Sequence, residues 1–194
     1  MEVKNLCKAY YGCPVLQNVS FAAGVGITAL WAPSGAGKTS LLRLLLGLDR
    51  PDSGQLVGTD IRWSAVFQED RLLEGLDAGG NLRFVLGADY DAKAAEAMLE
   101  ELSLANVGTK PVWDWSGGMK RRLALARALL APSDAIALDE PFTGLDEDNR
   151  RRAVGAIRRV AETKPVLLVT HDRDDLAALD ARIIHLRPED SFAT

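Results

Sequence analysis

The sequence predicts an α/β fold with a mainly parallel core sheet flanked by helices, and three observations predict it. Apolar runs at residues 27–31, 135–138, 166–170 and 182–186 alternate with helical segments at 38–46, 147–162 and 173–179. Apolar strands separated by helices form a parallel sheet covered on both faces. One of these strands runs directly into a glycine-rich stretch, WAPSGAGKT from Trp31 to Thr39, and then into a helix. From about Gly79 to Ala131 the chain is helix-rich, which reads as an insertion into the α/β core.

The elements follow in order. Residues 1–10 and 15–21 have the mixed, β-tending composition of short strands, and the turn at 11–14, carrying Gly12 and Pro14, joins them as a hairpin. A second turn, 22–26, feeds the strand at 27–31. After helix 38–46, the run DRPDSG at 49–54 is turn chemistry throughout, and strand-like pieces follow at 55–57, 61–63 and 65–67. Inside the helix-rich part, residues 92–102 carry Ala, Glu, Met and Leu in helix-favouring proportion, and 119–130 is a second strong helix. The chain has no internal repeat and no low-complexity segment.

At 194 residues the chain is read as one domain, residues 1–194, able to bury a core without metal or disulfide. With 23 basic and 27 acidic residues it offers no surface for a polyanion, so nucleic acid is not the expected partner. Cys7 and Cys13 have no His cluster to match them, which argues against a zinc site and against a disulfide framework. No apolar run approaches the roughly 18 residues a membrane span needs, and the start carries no apolar leader, so the chain is expected neither to be secreted nor to span a membrane.

The glycine-rich stretch is the strongest chemical signal. Clustered phosphate oxygens need converging donors, and a strand, a loop with free N–H groups and a helix N-terminus supply them. Against the pattern G-x-x-x-x-G-K-[ST], Lys38 is placed to reach the β- and γ-phosphates and Thr39 to put its hydroxyl on Mg²⁺. Ala32 stands where the first Gly belongs, which is acceptable only if its φ is negative. The strand 135–138 ends in Asp139 and Glu140, at the sheet edge where ligand chemistry collects in parallel sheets. Neighbours on a strand face opposite sides, so Asp139 is assigned to Mg²⁺ and Glu140 to the attacking water as base or orienter. Ser116, Gly117 and Gly118 open helix 119–130 as a second candidate anion site, although Ser before glycines is also an ordinary helix cap.

Together these residues resemble the nucleotide-binding subunit of an ABC transporter, and the similarity spans essentially the whole chain. Ala32 to Thr39 resembles Walker A, Val66 to Asp70 the Q-loop, Trp115 to Arg122 the signature, Asp139 and Glu140 the end of Walker B, Thr143 to Asp146 the D-loop, and Val169 to Asp172 the H-loop. The resemblance implies a P-loop NTPase fold with a small antiparallel β-subdomain and an α-helical subdomain at about 72–131. It implies ATP and Mg²⁺ as cofactors. ATP would be held by Ser34, Gly35, Ala36, Gly37, Lys38, Thr39 and Ser40 of one subunit, with Ser116, Gly117, Gly118 and Asp146 contributing across a head-to-tail dimer. Gln68 would touch Mg²⁺ or the water, Thr39 and Asp139 would hold the metal, His171 would hold the γ-phosphate, and Tyr10, with Tyr11 as the competing choice, would stack on adenine. Trp115 departs from the usual Leu and Arg121 from the common Gln. The span from Lys38 to Gln68 is short for the family, so the β-subdomain is expected to be trimmed, and with residues 172–194 remaining after His171 no regulatory domain is expected there.

The implied partners are integral-membrane permease subunits, a second nucleotide-binding subunit that is either a copy of this chain or a different ATPase, and an extracytoplasmic solute-binding protein. The implied location is cytoplasmic, peripheral on the inner face of the cell membrane. Arg71 to Leu76 would dock the permease, unless its leucines pack internally. The wording FQEDRLL resembles ATPases of nitrate, sulfonate and taurine importers, hence import of a small solute. The alternative from another class is a regulatory or assembly ATPase that uses the same dimer as a switch.

Overall fold

The computed structural model describes residues 1–33, 35–107 and 109–186. In chain order its elements are β1 (Glu2–Tyr10), β2 (Cys13–Ala22), β3 (Gly26–Trp31), α1 (Lys38–Leu45), β4 (Ser53–Val57), β5 (Trp63–Val66), α2 (Ala78–Leu86), α3 (Ala92–Glu101), α4 (Gly117–Leu130), β6 (Ala135–Asp139), α5 (Glu147–Ala161), β7 (Pro165–Thr170), α6 (Arg173–Leu179) and β8 (Arg182–His185). A five-stranded sheet runs in the order β5-β6-β7-β3-β8 with every neighbouring pair parallel. A separate three-stranded sheet, β2-β1-β4, is antiparallel.

The central strands β3, β6 and β7 are largely apolar on both sides because each faces two cores, whereas the edge strand β8 is mostly exposed. Alternate residues of a strand point in opposite directions. Thus Ala29, Ile136, Leu138, Val166 and Leu168 join a core with α2, α4, α5 and α6. Leu30, Ala137, Leu167 and Val169 join the other, with α1 and the β1–β2 hairpin. Parallel pairing also brings the functional strand ends level: Trp31 pairs with Thr170, and Asp139 with Val169. The phosphate loop, the Asp139–Glu140 pair and the turn to His171 therefore leave the sheet at one edge.

Three local expectations change. The pieces at 61–63 and 65–67 are one strand, β5, because Ser64, which reads as a break between apolar runs, is buried and satisfied by donating its hydroxyl to the Ala128 carbonyl at 2.8 Å. The turn at 49–54 ends early, since Ser53 already pairs with Cys7 in β4. The helix expected from Met119 begins at Gly117, capped by the Ser116 hydroxyl. No described helix is long and apolar enough to cross a membrane.

Candidate functional site

Helix α1 begins without a side-chain cap. Its N-cap is Gly37 in the left-handed region at φ 77°, and a Cβ there would come within 2.8 Å of Leu16 and 2.9 Å of the Val15 carbonyl. Only glycine lets the loop close onto the β2 strand, which leaves the first amides of α1 open to a ligand. Ala32 takes no positive φ, and its methyl is wholly buried in the core that holds Leu30 and Leu41. The departure from the first loop glycine is therefore absorbed by packing.

Over this loop lies a cavity of about 520 Å³, with Gly35, Gly37, Lys38, Thr39 and Ser40 on one side and Gln68, Asp139, Glu140 and His171 on the other. Lys38 is 9% exposed, and its ammonium donates to the carbonyls of Ala32 at 2.7 Å and Pro33 at 2.8 Å. Burial pushes its pKa down, and the nearby Glu140 and Asp139 carboxylates oppose that. A charge held on its own loop's carbonyls is available to a stronger acceptor, and a phosphate oxygen is one.

Asp139 is 3% exposed, and the Thr39 hydroxyl donates to it at 3.1 Å. Burial raises its pKa, countered by the Thr39 hydrogen bond. Thr39, Asp139 and the Gln68 amide form an oxygen-rich donor set with one carboxylate. That suits Mg²⁺, which keeps most of its shell for phosphate and water. No group of three or more His, Cys, Asp or Glu among the described residues forms a protein-only metal cage.

Glu140 lines the same cavity as Asp139, and strand alternation does not apply to it because β6 ends at Asp139. It lies one residue past β6 with φ 49°, a left-handed conformation that costs about 1–2 kcal/mol for a residue with a Cβ. Its amide is fixed by donating to the Val169 carbonyl at 2.9 Å. Its carboxylate meets His171 Nδ1 at 2.7 Å and the Thr170 hydroxyl at 3.3 Å. The Glu140 contact raises the pKa of His171.

Behind this pair runs a network that sequence reasoning missed. Thr170 donates to Asp175 at 2.8 Å, and Arg150 on α5 closes on Asp175 at 2.7 Å and 2.9 Å. A hydroxyl has one proton to give, and the shorter contact assigns it to Asp175. No short motif joins positions 150, 170 and 175, so only the packing of α5 against α6 reveals them.

The remaining expected residues lie elsewhere. Tyr10 does not line the cavity; its hydroxyl donates to Asp49 at 2.7 Å, and the Lys8 ammonium lies 5.1 Å from its ring centre. That hydrogen bond is the main cause of an Asp49 pKa of about 2. Tyr11 is fully exposed. Asp146 caps α5, accepting from the Asn149 amide and side chain at 2.9 and 2.7 Å. Ser116, Gly117 and Gly118 are not among the residues around the cavity. The Ser116 hydroxyl accepts from the Met119 amide at 3.3 Å, and a Cβ on Gly118 would lie 2.9 Å from the Gly144 carbonyl. Ser34 lies outside the described residues.

Residues 16–143 match the profile of the family described as ABC transporter. The chain is 34% identical over 206 residues to a taurine import ATP-binding protein of Pseudomonas putida, covering 97% of this chain and 78% of that one. It is 40% identical over 192 residues to an aliphatic sulfonates import ATP-binding protein of Delftia acidovorans, covering 96% and 79%. Among solved structures it superposes on dimeric MJ0796, a bacterial ABC transporter cassette, with TM-score 0.84 and 25% identity over 99% of this chain and 96% of that one. A bacterial Atm1-family ABC exporter with ATP bound shares the fold, with TM-score 0.85 and 22% identity over 99% of this chain and 38% of that one.

Proposed function

The chain belongs to the ABC transporter family as an ATP-binding, ATP-hydrolysing subunit, and from that premise we propose that two such subunits close head to tail around ATP and Mg²⁺ to drive import of a small solute. The observation that carries this is the separation of the two anion sites. Lys38, Thr39, Asp139, Glu140 and His171 converge on one cavity, while Ser116 to Gly118 stand outside it. The second subunit's Ser116 and Gly118 then close the first subunit's cavity.

In this reading the amides of α1 and the Lys38 ammonium bind the β- and γ-phosphates, Lys38 exchanging two carbonyls for phosphate oxygens. Thr39, Asp139 and Gln68 hold Mg²⁺, which when bound supplies charge neutralisation at the phosphates. Glu140 takes the proton of the attacking water, and His171, whose pKa is raised by its contact with Glu140, faces the γ-phosphate. Thr170, Asp175 and Arg150 brace the turn between β7 and α6 that carries His171. Tyr10, which stands outside the phosphate cavity with its hydroxyl on Asp49, is the candidate adenine platform, and Asp146 lies beside the dimer seam. Residues 72–131 act as the helical subdomain of a single 1–194 ATPase domain.

The permease side of the reading rests on the loop after Gln68. Leu72 packs against the core, so it is not a docking residue. Leu73 and Leu76 stay 37% and 40% exposed, beside Trp113, which is 58% exposed and whose amide donates to the Glu74 carbonyl at 3.1 Å. Apolar groups left in water at one spot suit a coupling helix of a membrane-bound partner, which would hold the subunit at the cytoplasmic face. The relatives' names point to a sulfonate-type solute, delivered by a solute-binding protein.

Glu140→Gln tests the catalytic assignment. It is expected to lower ATP turnover about 10²- to 10⁴-fold and to trap an ATP-bound dimer visible by size-exclusion chromatography. Unchanged turnover would show that another group is the base.

A further inference from the structure

We propose that Arg121 is a positioning residue for ATP hydrolysis, seating Gln68 in the phosphate cavity by gripping the backbone that carries it and so tying Gln68 to the helix that starts at Ser116. This rests on the reading of the cavity as the ATP site and of Gln68 as part of it.

Residues 67–71 follow β5 without regular secondary structure. Their carbonyls have no ladder to enter, and backbone groups of this kind need partners when water is excluded. Two arginines of α4 provide them. Arg121, whose side chain is 7% exposed, donates from one guanidinium nitrogen to the Phe67 carbonyl at 2.7 Å and from another to the Gln68 carbonyl at 2.5 Å. The Asp70 carboxylate lies 3.2 Å from the same guanidinium without hydrogen-bond geometry, so it contributes charge rather than direction. Further along α4, Arg127 donates to the carbonyls of Asp70 at 2.8 Å and Arg71 at 2.7 Å.

A guanidinium is a rigid planar fork, and two nitrogens bonded to consecutive carbonyls fix both the place and the tilt of the peptide between them. That peptide carries Gln68, whose side chain lines the cavity with Asp139 and Glu140. The other end of α4 is the Ser116 cap. Any rotation of α4 when its N-terminus meets a second subunit is therefore delivered to Gln68 through Arg121. A glutamine at this position, the residue the family resemblance leads one to expect, has one amide nitrogen and cannot hold two carbonyls and face Asp70 at once.

The test uses the purified full chain with ATP and Mg²⁺, measuring kcat, KM for ATP and thermal midpoint for Arg121→Gln, Arg121→Lys, Gln68→Ala and the Gln68→Ala/Arg121→Gln double variant. Arg121→Gln is expected to lower kcat about tenfold, the scale of losing a supporting contact. KM should stay within about twofold of the parent, because the α1 loop that binds phosphate is untouched. Arg121→Lys should resemble Arg121→Gln, since one ammonium cannot reproduce the fork; it also carries the test if Arg121→Gln fails to fold. If Arg121 acts through Gln68, adding Arg121→Gln to Gln68→Ala should cost less than about twofold more.

Unchanged kcat, a loss matched by the fall in folded fraction, or two full losses multiplying in the double variant would each overturn the proposal. Unchanged turnover for Gln68→Ala alone would overturn it too. With Glu140→Gln still inactive, that result would locate the fault in the role given to Gln68 and leave the ATPase reading standing.

Discussion

Two helices in this chain begin with small residues, and they begin in different company. At α1, Gly37 supplies no cap, and the free amides look across a cavity of about 520 Å³ at Asp139, Glu140, His171 and Gln68. At α4, Ser116 uses its hydroxyl on its own Met119 amide, Gly117 has nothing within 4 Å of where a Cβ would point, and Gly118 backs onto Gly144. Both starts have the dipole and the amides that attract an anion. Only the first has a lysine beneath it and acids opposite. An anion site becomes a catalytic site when a second wall faces it; among the described residues Ser116 to Gly118 do not line that cavity, and in the proposed dimer the wall comes from the second subunit.

The largest effect breaks the comparison outright. Lys38→Ala should abolish turnover by removing the ammonium from the finished site, and Ser116→Glu should abolish it by setting a carboxylate against phosphate across the seam. Mixed in equal amounts, the two inactive chains should regain about a quarter of parental turnover, because half the dimers pair unlike chains and each then holds one whole site of two. Activity in a 1:1 mixture, measured against each variant alone, checks this. No recovery would mean that α4 does not complete a partner's site.

Why one helix start was easy to read and its surroundings were not is a matter of range. WAPSGAGKT carries its own context in sequence, since strand, loop and helix are contiguous. The parallel sheet was legible for a similar reason, because strands buried on both faces read as nearly continuous apolar runs, broken here only by single polar residues such as Thr28 and Ser64. Strand alternation separates the jobs of Asp139 and Glu140 but does not explain how both reach one cavity; the left-handed φ of Glu140 does. Nothing in a glutamate announces such a conformation. Arg121 read only as a departure from glutamine, because its partners at Phe67 and Gln68 are more than fifty positions away. The partners of Tyr10 and Thr170, Asp49 and Asp175, were equally silent, since an aspartate reads alike as a solvated turn residue and as a buried acceptor. What escaped was long-range side-chain hydrogen bonding, which leaves no periodicity.

A smaller effect sharpens the contrast within the α4 start itself. A Cβ added at Gly118 meets the Gly144 carbonyl at 2.9 Å, whereas one at Gly117 meets nothing. Gly118→Ala should destabilise the fold by about 1–3 kcal/mol through overpacking. Gly117→Ala should be neutral or stabilise by about 0.5–1 kcal/mol, because glycine is a poor helix residue. Urea unfolding of both variants decides the matter. Equal destabilisation would show that α4 does not rest on the 143–146 turn in solution.

A small expected loss of stability asks whether the Ser116 hydroxyl has one task or two. Its cap on Met119 is long at 3.3 Å, so Ser116→Ala should cost about 0.5–1 kcal/mol, the lower part of the range for losing a helix cap. If capping is its whole role, turnover should follow folded fraction and barely move in a protein that is otherwise well folded. If the hydroxyl also reaches phosphate bound by a second subunit, kcat should drop about tenfold or more, as when a donor to a developing charge is lost. Ser116→Asp separates the two tasks further. Aspartate caps as well as serine but repels phosphate, so it should restore the thermal midpoint while leaving turnover lost. Activity recovered along with stability would return α4 to being an ordinary capped helix.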